Sequence, residues 1–182
     1  MVAARLSYLA EEGSLLPKNH FGARPKRSAE QALNVVVERT YEAWRQARTL
    51  SLVSFDVQGA FNGVHPEVLY RRLVERRVPV EIATWVQDFC QDRRGSLVVD
   101  RYQSEEKRIK FAGIPQGSPL SPILYVFYNA NLVETRVNPK GGAIGFVDDL
   151  NAWVTGPSPA SNTATIQREI LPIMSSRPRS AW

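Results

Sequence analysis

The stretch "GGAIGFVDDLNAWVTG", Gly141 to Gly156, sets two adjacent carboxylates, Asp148 and Asp149, between two runs that read as strands. Ala143, Ile144, Gly145, Phe146 and Val147 lead in; Leu150, Ala152, Trp153 and Val154 follow. The pattern predicts a hairpin with the acids at its tip. An ionised carboxylate in low dielectric costs several kcal/mol unless it is paired or metal-bound. Asp is also a good residue for an exposed turn, and an isolated Asp-Asp pair reads first as that.

A third acid changes the reading. Asp56 closes the apolar run Leu50–Val57, which predicts a buried strand, and is followed by "VQGAFNGV". If that strand lies beside the hairpin, three carboxylates meet at one spot and cannot all stay ionised without a cation. Hard oxygen ligands select Mg²⁺ or Mn²⁺, and Mg²⁺ usually takes one or two carboxylates plus substrate phosphates.

Two further segments invite chemistry. In "AGIPQGSPLSPILY", 112–125, the Gly and Pro density predicts a sharply shaped backbone. There Gln116 and Gly117 offer an amide side chain and bare backbone to a flat ligand, or the segment is only a tight loop before a helix. In "FGARPKRS", Arg24, Lys26 and Arg27 read alone as a solvated basic loop. Beside a metal site they become candidate phosphate contacts, because Arg pairs bidentately with phosphate oxygens.

The rest of the chain supplies a scaffold. Ser28 and Gln31 form a predicted capping box opening a helix to about Arg48, with Leu33, Val36, Val37, Tyr41 and Trp44 on one face. Helices are predicted from Pro66 over "PEVLYRRLVERR", with Val68, Leu69 and Leu73 inward, and from Val80 to Asp92. "SLVVDRY" and "KRIKFAG" read as hairpin arms joined by a charged turn near Ser104–Glu106. "SPLSPILYVFYNANLV" predicts a largely buried helix, and 161–173 a final one. Strands joined by hairpins rather than strict alternation with helices favour an α+β class.

A 43% apolar composition in 182 residues excludes a disordered chain, and no run approaches the roughly 20 apolar residues that span a bilayer. The single Cys90 rules out an internal disulfide, and the charged first residues rule out a signal peptide, so an intracellular setting, nuclear or cytoplasmic, is expected. The net charge of +5 makes a polyanionic partner plausible.

Together these segments resemble the reverse transcriptases, most closely those of non-long-terminal-repeat (LINE-type) retrotransposons. "SFDVQGAFNGV" is similar to the family's first catalytic motif, "GIPQGSPLSPILY" to its template and nucleotide grip, and "FVDD" to its aromatic-X-Asp-Asp box. "NHFGARPKRSAEQAL" resembles the LINE-type fingers segment. The resemblance implies a right-hand polymerase with a ferredoxin-like palm and part of the fingers, without a thumb. Residues 1–49 would be a partial fingers segment with a long helix, 50–173 the palm, and 174–182 a disordered tail.

It implies Asp56, Asp148 and Asp149 as the catalytic acids of an RNA-directed DNA polymerase, holding two Mg²⁺ or Mn²⁺ ions with the Val57 carbonyl. Phe61, Gln116, Gly117 and Arg24 would contact the incoming deoxynucleoside triphosphate. Phe146, Val147, Pro115 and Ser118 would face the RNA template and DNA primer. Phe61 would exclude a ribose 2′-hydroxyl, its other reading being helix–sheet packing. The thumb and nuclease regions of a parent polyprotein are expected to be missing, leaving the isolated chain weak or inactive. The other readings are an inactive remnant that binds nucleic acid and a fragment of an RNA-dependent RNA polymerase.

Overall fold

The computed structural model describes residues 1–57, 59–109, 113–134 and 141–172. The expected tail, 174–182, lies outside them, as do residues 110–112 of the second predicted hairpin arm. The chain is α+β, as expected. Helices α1 (Val2–Glu12) and α2 (Ala29–Arg45) precede strand β1 (Thr49–Phe55). Helices α3 (Pro66–Glu75) and α4 (Val80–Cys90) follow. Four two-residue strands come next: β2 (Arg94–Gly95), β3 (Val98–Val99), β4 (Tyr102–Gln103) and β5 (Lys107–Arg108). Helix α5 (Ser121–Glu134), strands β6 (Gly141–Phe146) and β7 (Asp149–Gly156), and α6 (Pro159–Thr165) complete the order, with a single π-turn at Ile166–Ile170.

The main sheet has the order β1-β7-β6, all antiparallel. Alternation along the strands divides its residues between two layers. Leu50, Ile144 and Trp153 face α2 through Ala32, Val35 and Val36. On the other face Val53, Phe55, Ala143, Leu150, Ala152 and Val154 pack with Leu132 and Val133 of α5 and Ile166 and Ile170. Among the described strands β1 pairs only with β7, so it is an edge rather than the fully buried strand expected, and Leu52 is exposed.

Helix α5 is buried from Ile123 to Ala130 because it lies between the sheet and a second core built from α1, α3 and α4. That explains its nearly unbroken apolar sequence. Leu69 and Leu73 of α3 are fully buried there, as expected, with Val68 packed against them.

Three expectations need correction. Helix α1, for which no element was expected, is held by Leu6 and Ala10, one turn apart and fully buried. Of the α2 face expected inward, Val36 packs on the sheet beside Ala32 and Val35, whereas Leu33, Val37, Tyr41 and Trp44 are exposed. The reciprocal capping box of Ser28 and Gln31 is present. The hairpin after α4 turns at Asp100–Arg101, both at positive φ, rather than near Ser104–Glu106. The pairing β2–β5 then carries the charged residues back along the outside.

The segment between α1 and α2 docks on the free side of β6. Phe21 N–H donates to the Gly145 carbonyl (2.8 Å), and Gly145 N–H to that of Asn19 (3.1 Å). Arg24 donates to both carboxylate oxygens of Glu11 (2.6 and 2.9 Å) and to the carbonyls of Pro17 and His20. That hydrogen-bonded pairing holds the Glu11 carboxyl below its ordinary pKa. His20 is fully buried, and burial depresses its pKa to about 4.

Two measurements check this packing. Leu124→Ala removes a fully buried side chain from α5 and is expected to cost 2 to 5 kcal/mol, roughly, in urea unfolding. His20 stays neutral in the fold, whereas in the unfolded chain it protonates near its ordinary value of 6.5. Above that value it contributes no pH dependence. Below it the unfolded state binds the extra proton, so stability falls between pH 6.5 and 4 by on the order of 3 kcal/mol. His20→Gln should remove that component of the acid loss.

Candidate active site at the β6–β7 turn

Strands β6 and β7 are joined by a two-residue turn, Val147-Asp148, closed by the pair Phe146↔Asp149. Short turns of this kind require a positive φ at their first central residue, and Val147 supplies it at 55°. The acids therefore do sit at a hairpin tip. Asp148 is half-buried and Asp149, the first residue of β7, is exposed.

The partner strand brings up the third acid. The β1–β7 register runs from Thr49↔Gly156 to Phe55↔Leu150. Asp56, exposed, follows directly after that last pair, at the end of β1 nearest the turn. A second observation agrees. The Tyr125 hydroxyl is pushed above its ordinary pKa, first by burial, then by the Asp148 carboxylate, and further by Tyr128 and Asp56. Arg72 opposes that rise, and the Asp56 contribution is the smallest.

Among the described residues, no three Asp, Glu, His or Cys side chains come close enough to form a ready-made metal cage. The expected gathering of three acids is instead a juxtaposition of Asp56 with the turn. Asp149, as a β7 residue, shares the side of Asn151 and Trp153, whereas Asp148 belongs to the turn. Two exposed or half-exposed carboxylates still suit an oxygen-liganded ion completed by phosphate oxygens. The Val57 carbonyl already accepts Ala60 N–H at 3.1 Å, leaving one lone pair for a further partner.

The loop before α5 is tied to the segment after Asp56. Ile114 N–H donates to the Phe61 carbonyl (3.0 Å). A Cβ on Gly113, at φ +53°, would sit 2.1 Å from that oxygen, so only glycine fits. Phe61 is half-buried, its ring 5.4 Å from that of Tyr125. Its packing role is therefore real. Gly117 takes φ +87° with open space where a Cβ would be, and Gln116 beside it is exposed. Ser121 Oγ donates to the Pro115 carbonyl (2.5 Å), and Ser118 Oγ accepts Leu120 N–H (3.3 Å). These bonds fix the loop's shape.

Arg24 has a different setting from the one expected. Its side chain is buried and committed to Glu11 and two carbonyls, so it braces α1 against the following loop. Arg27 donates to the Lys18 carbonyl and lies 5.4 Å over the Phe21 ring; Lys26 is exposed. Two residues not singled out from the sequence stand behind the turn, one of them touching it. Asn129 of α5 donates through Nδ2 to the Val147 carbonyl (2.5 Å) and meets His20 Nε2 through Oδ1 (3.1 Å). An Asn inside so apolar a helix was the signal, since a buried amide needs partners.

Comparison with known proteins follows the same lines. Residues 1–175 match the family model described as "Reverse transcriptase (RNA-dependent DNA polymerase)". The RNA-directed DNA polymerase from mobile element jockey of Drosophila melanogaster is 32% identical over 133 residues, 72% of this chain and 14% of that protein. The probable RNA-directed DNA polymerase from transposon BS of the same organism is 29% identical over 132 residues, again 72% and 14%. The chain thus spans about a seventh of the length of these relatives.

Among solved structures, apo telomerase from Candida tropicalis superposes with a TM-score of 0.68 at 12% identity, over 99% of this chain and 34% of that one. Telomerase from Candida albicans in complex with a fragment of telomeric RNA gives 0.65 at 16%, over 96% and 32%. At such identities the likeness is one of fold, that of a polymerase right hand represented by parts of its palm and fingers. The chain belongs to the reverse transcriptase family, resembling its non-long-terminal-repeat retrotransposon members.

Proposed function

We propose that this chain is the palm and partial fingers of an RNA-directed DNA polymerase that extends a DNA primer on an RNA template. The observation that supports the reading is the β1–β7 register, whose last pair, Phe55↔Leu150, precedes Asp56 at the turn end of the sheet. Asp56 and Asp148 would hold two Mg²⁺ or Mn²⁺ ions, with Asp149 and the Val57 carbonyl in support. When bound, such ions lower the pKa of a primer 3′-hydroxyl and neutralise the charge on a transferring phosphoryl group.

The chain's own residues do the rest. Gly117, with no side chain, lets the backbone approach the incoming base pair, and exposed Gln116 offers an amide to it. Phe61, held against Tyr125, fills the space a ribose 2′-hydroxyl would need and so favours deoxynucleotides. Phe146, Val147, Pro115 and Ser118 line the path assigned to primer and template. Arg24 would have to release Glu11 to reach a phosphate, so we place it outside the nucleotide contacts. The net charge of +5 suits a duplex whose phosphates dominate affinity.

Extension of a labelled primer by one nucleotide, on RNA template with Mg²⁺ or Mn²⁺, tests this without requiring processive grip. Asp148→Ala is expected to lower incorporation about a thousandfold, several kcal/mol of lost charge stabilisation. Phe61→Ala should raise ribonucleotide use relative to deoxynucleotides. Salt-sensitive binding with no incorporation above the Asp148→Ala background would show a nucleic-acid-binding remnant instead.

A further inference from the structure

The turn that presents Asp148 is strained. Val147 is β-branched and adopts φ 55°, a region such residues rarely enter. Such a conformation persists only where its surroundings determine it. Here one hydrogen bond reaches the turn from beneath: Asn129 Nδ2 donates to the Val147 carbonyl at 2.5 Å. That carbonyl belongs to the peptide unit leading into Asp148. Fixing its direction fixes the plane from which the Asp148 side chain departs.

Asn129 is itself held. Its amide has one orientation compatible with donating to Val147, which leaves Oδ1 to accept from His20 Nε2 at 3.1 Å. His20 must then be the neutral Nε2–H tautomer, consistent with its pKa of about 4. Its Nδ1 is buried with no hydrogen-bond partner among the described residues. A buried acceptor left unmatched has a cost that a purely structural apolar residue would avoid. Both side chains are almost entirely shielded, His20 at 0% and Asn129 at 5% exposure. Backbone contact completes the arrangement: a Cβ on Gly22 would lie 2.3 Å from the Val147 nitrogen, so the 17–24 segment presses directly on the turn.

We propose that His20 and Asn129 are positioning residues, a buried relay from the segment before α2 through α5 to the Val147 carbonyl that aims the Asp148 carboxylate. The inference rests on reading Asp148 as a metal ligand. It adds that the fingers-side segment sets the ligand's direction without touching substrate or ion. Groups that orient metal ligands from behind commonly change affinity 10- to 100-fold when removed.

The test uses the 182-residue chain with two readouts. In metal-free protein, Asn129→Leu and His20→Leu should shift or broaden the amide NMR signals of Asp148 and Asp149. Signals from the β1–β7 ladder, such as Val53 and Ala152, should stay in place. Mn²⁺ affinity by electron paramagnetic resonance should fall at least about tenfold in both variants. His20→Gln retains an N–H donor and should restore both readouts, which a loss of packing alone would not predict. If Asn129→Leu does not fold, Asn129→Ser, too short to span both partners, replaces it.

Unmoved turn amides in a folded variant would overturn the relay, as would unchanged Mn²⁺ affinity or His20→Gln behaving like His20→Leu. Should Asp148→Ala bind Mn²⁺ as the unaltered chain does, the metal-ligand reading fails, and the turn amides alone decide the relay.

Discussion

The antiparallel pairing of β1 with β7 is the constraint on which the rest of the molecule depends. A one-residue slip would exchange the two faces of β1, sending Val53 and Phe55 toward α2 and Leu50 toward α5. It would also move Asp56 past the turn. Hydrophobic alternation, which fixes the register for reasons of burial, therefore fixes the separation of two carboxylates. No direct interaction between the acids is needed to bring them together, and like charges would oppose it.

That economy explains what was legible in the sequence. The β6–β7 hairpin, its acids at the turn, and the buried α5 follow from local patterns: alternation, an apolar run, and adjacent turn residues. The capping box at Ser28 is likewise a contact between near neighbours. What failed needed partners distant in the chain. The outward face of α2 carries larger apolar side chains than its inward face, so amphipathicity alone points the wrong way; the sheet is met by Ala32, Val35 and Val36. Helix α1 is defined by Leu6 and Ala10 meeting a core assembled from α3, α4 and α5.

The site shows the same division. Asp56 and Asp148 stand out in the sequence as candidates, because a charge ending an apolar strand is locally conspicuous. Arg24 could not be placed, because its environment depends on Glu11, thirteen positions earlier and on a helix not anticipated. A guanidinium is fitted to phosphate and carboxylate by the same fork of donors, so residue type cannot decide between them. Burial decides: an Arg side chain 3% exposed with bidentate and carbonyl partners is already satisfied.

The contrast between 12% identity and a TM-score of 0.68 follows from these rules. The frame asks for apolar residues in alternation where α2 meets the sheet and a tolerated positive φ at the turn; the proposed site adds acids at two strand ends. Many sequences meet the first demand, since cores accept exchange of one apolar residue for another of similar volume. The last two are far narrower. Moving an acid by one position changes the face it serves, whereas exchanging Val for Ile within β1 changes little. Divergence can therefore run through most of the chain while the strand ends, where the proposed metal ligands sit, stay where the register puts them.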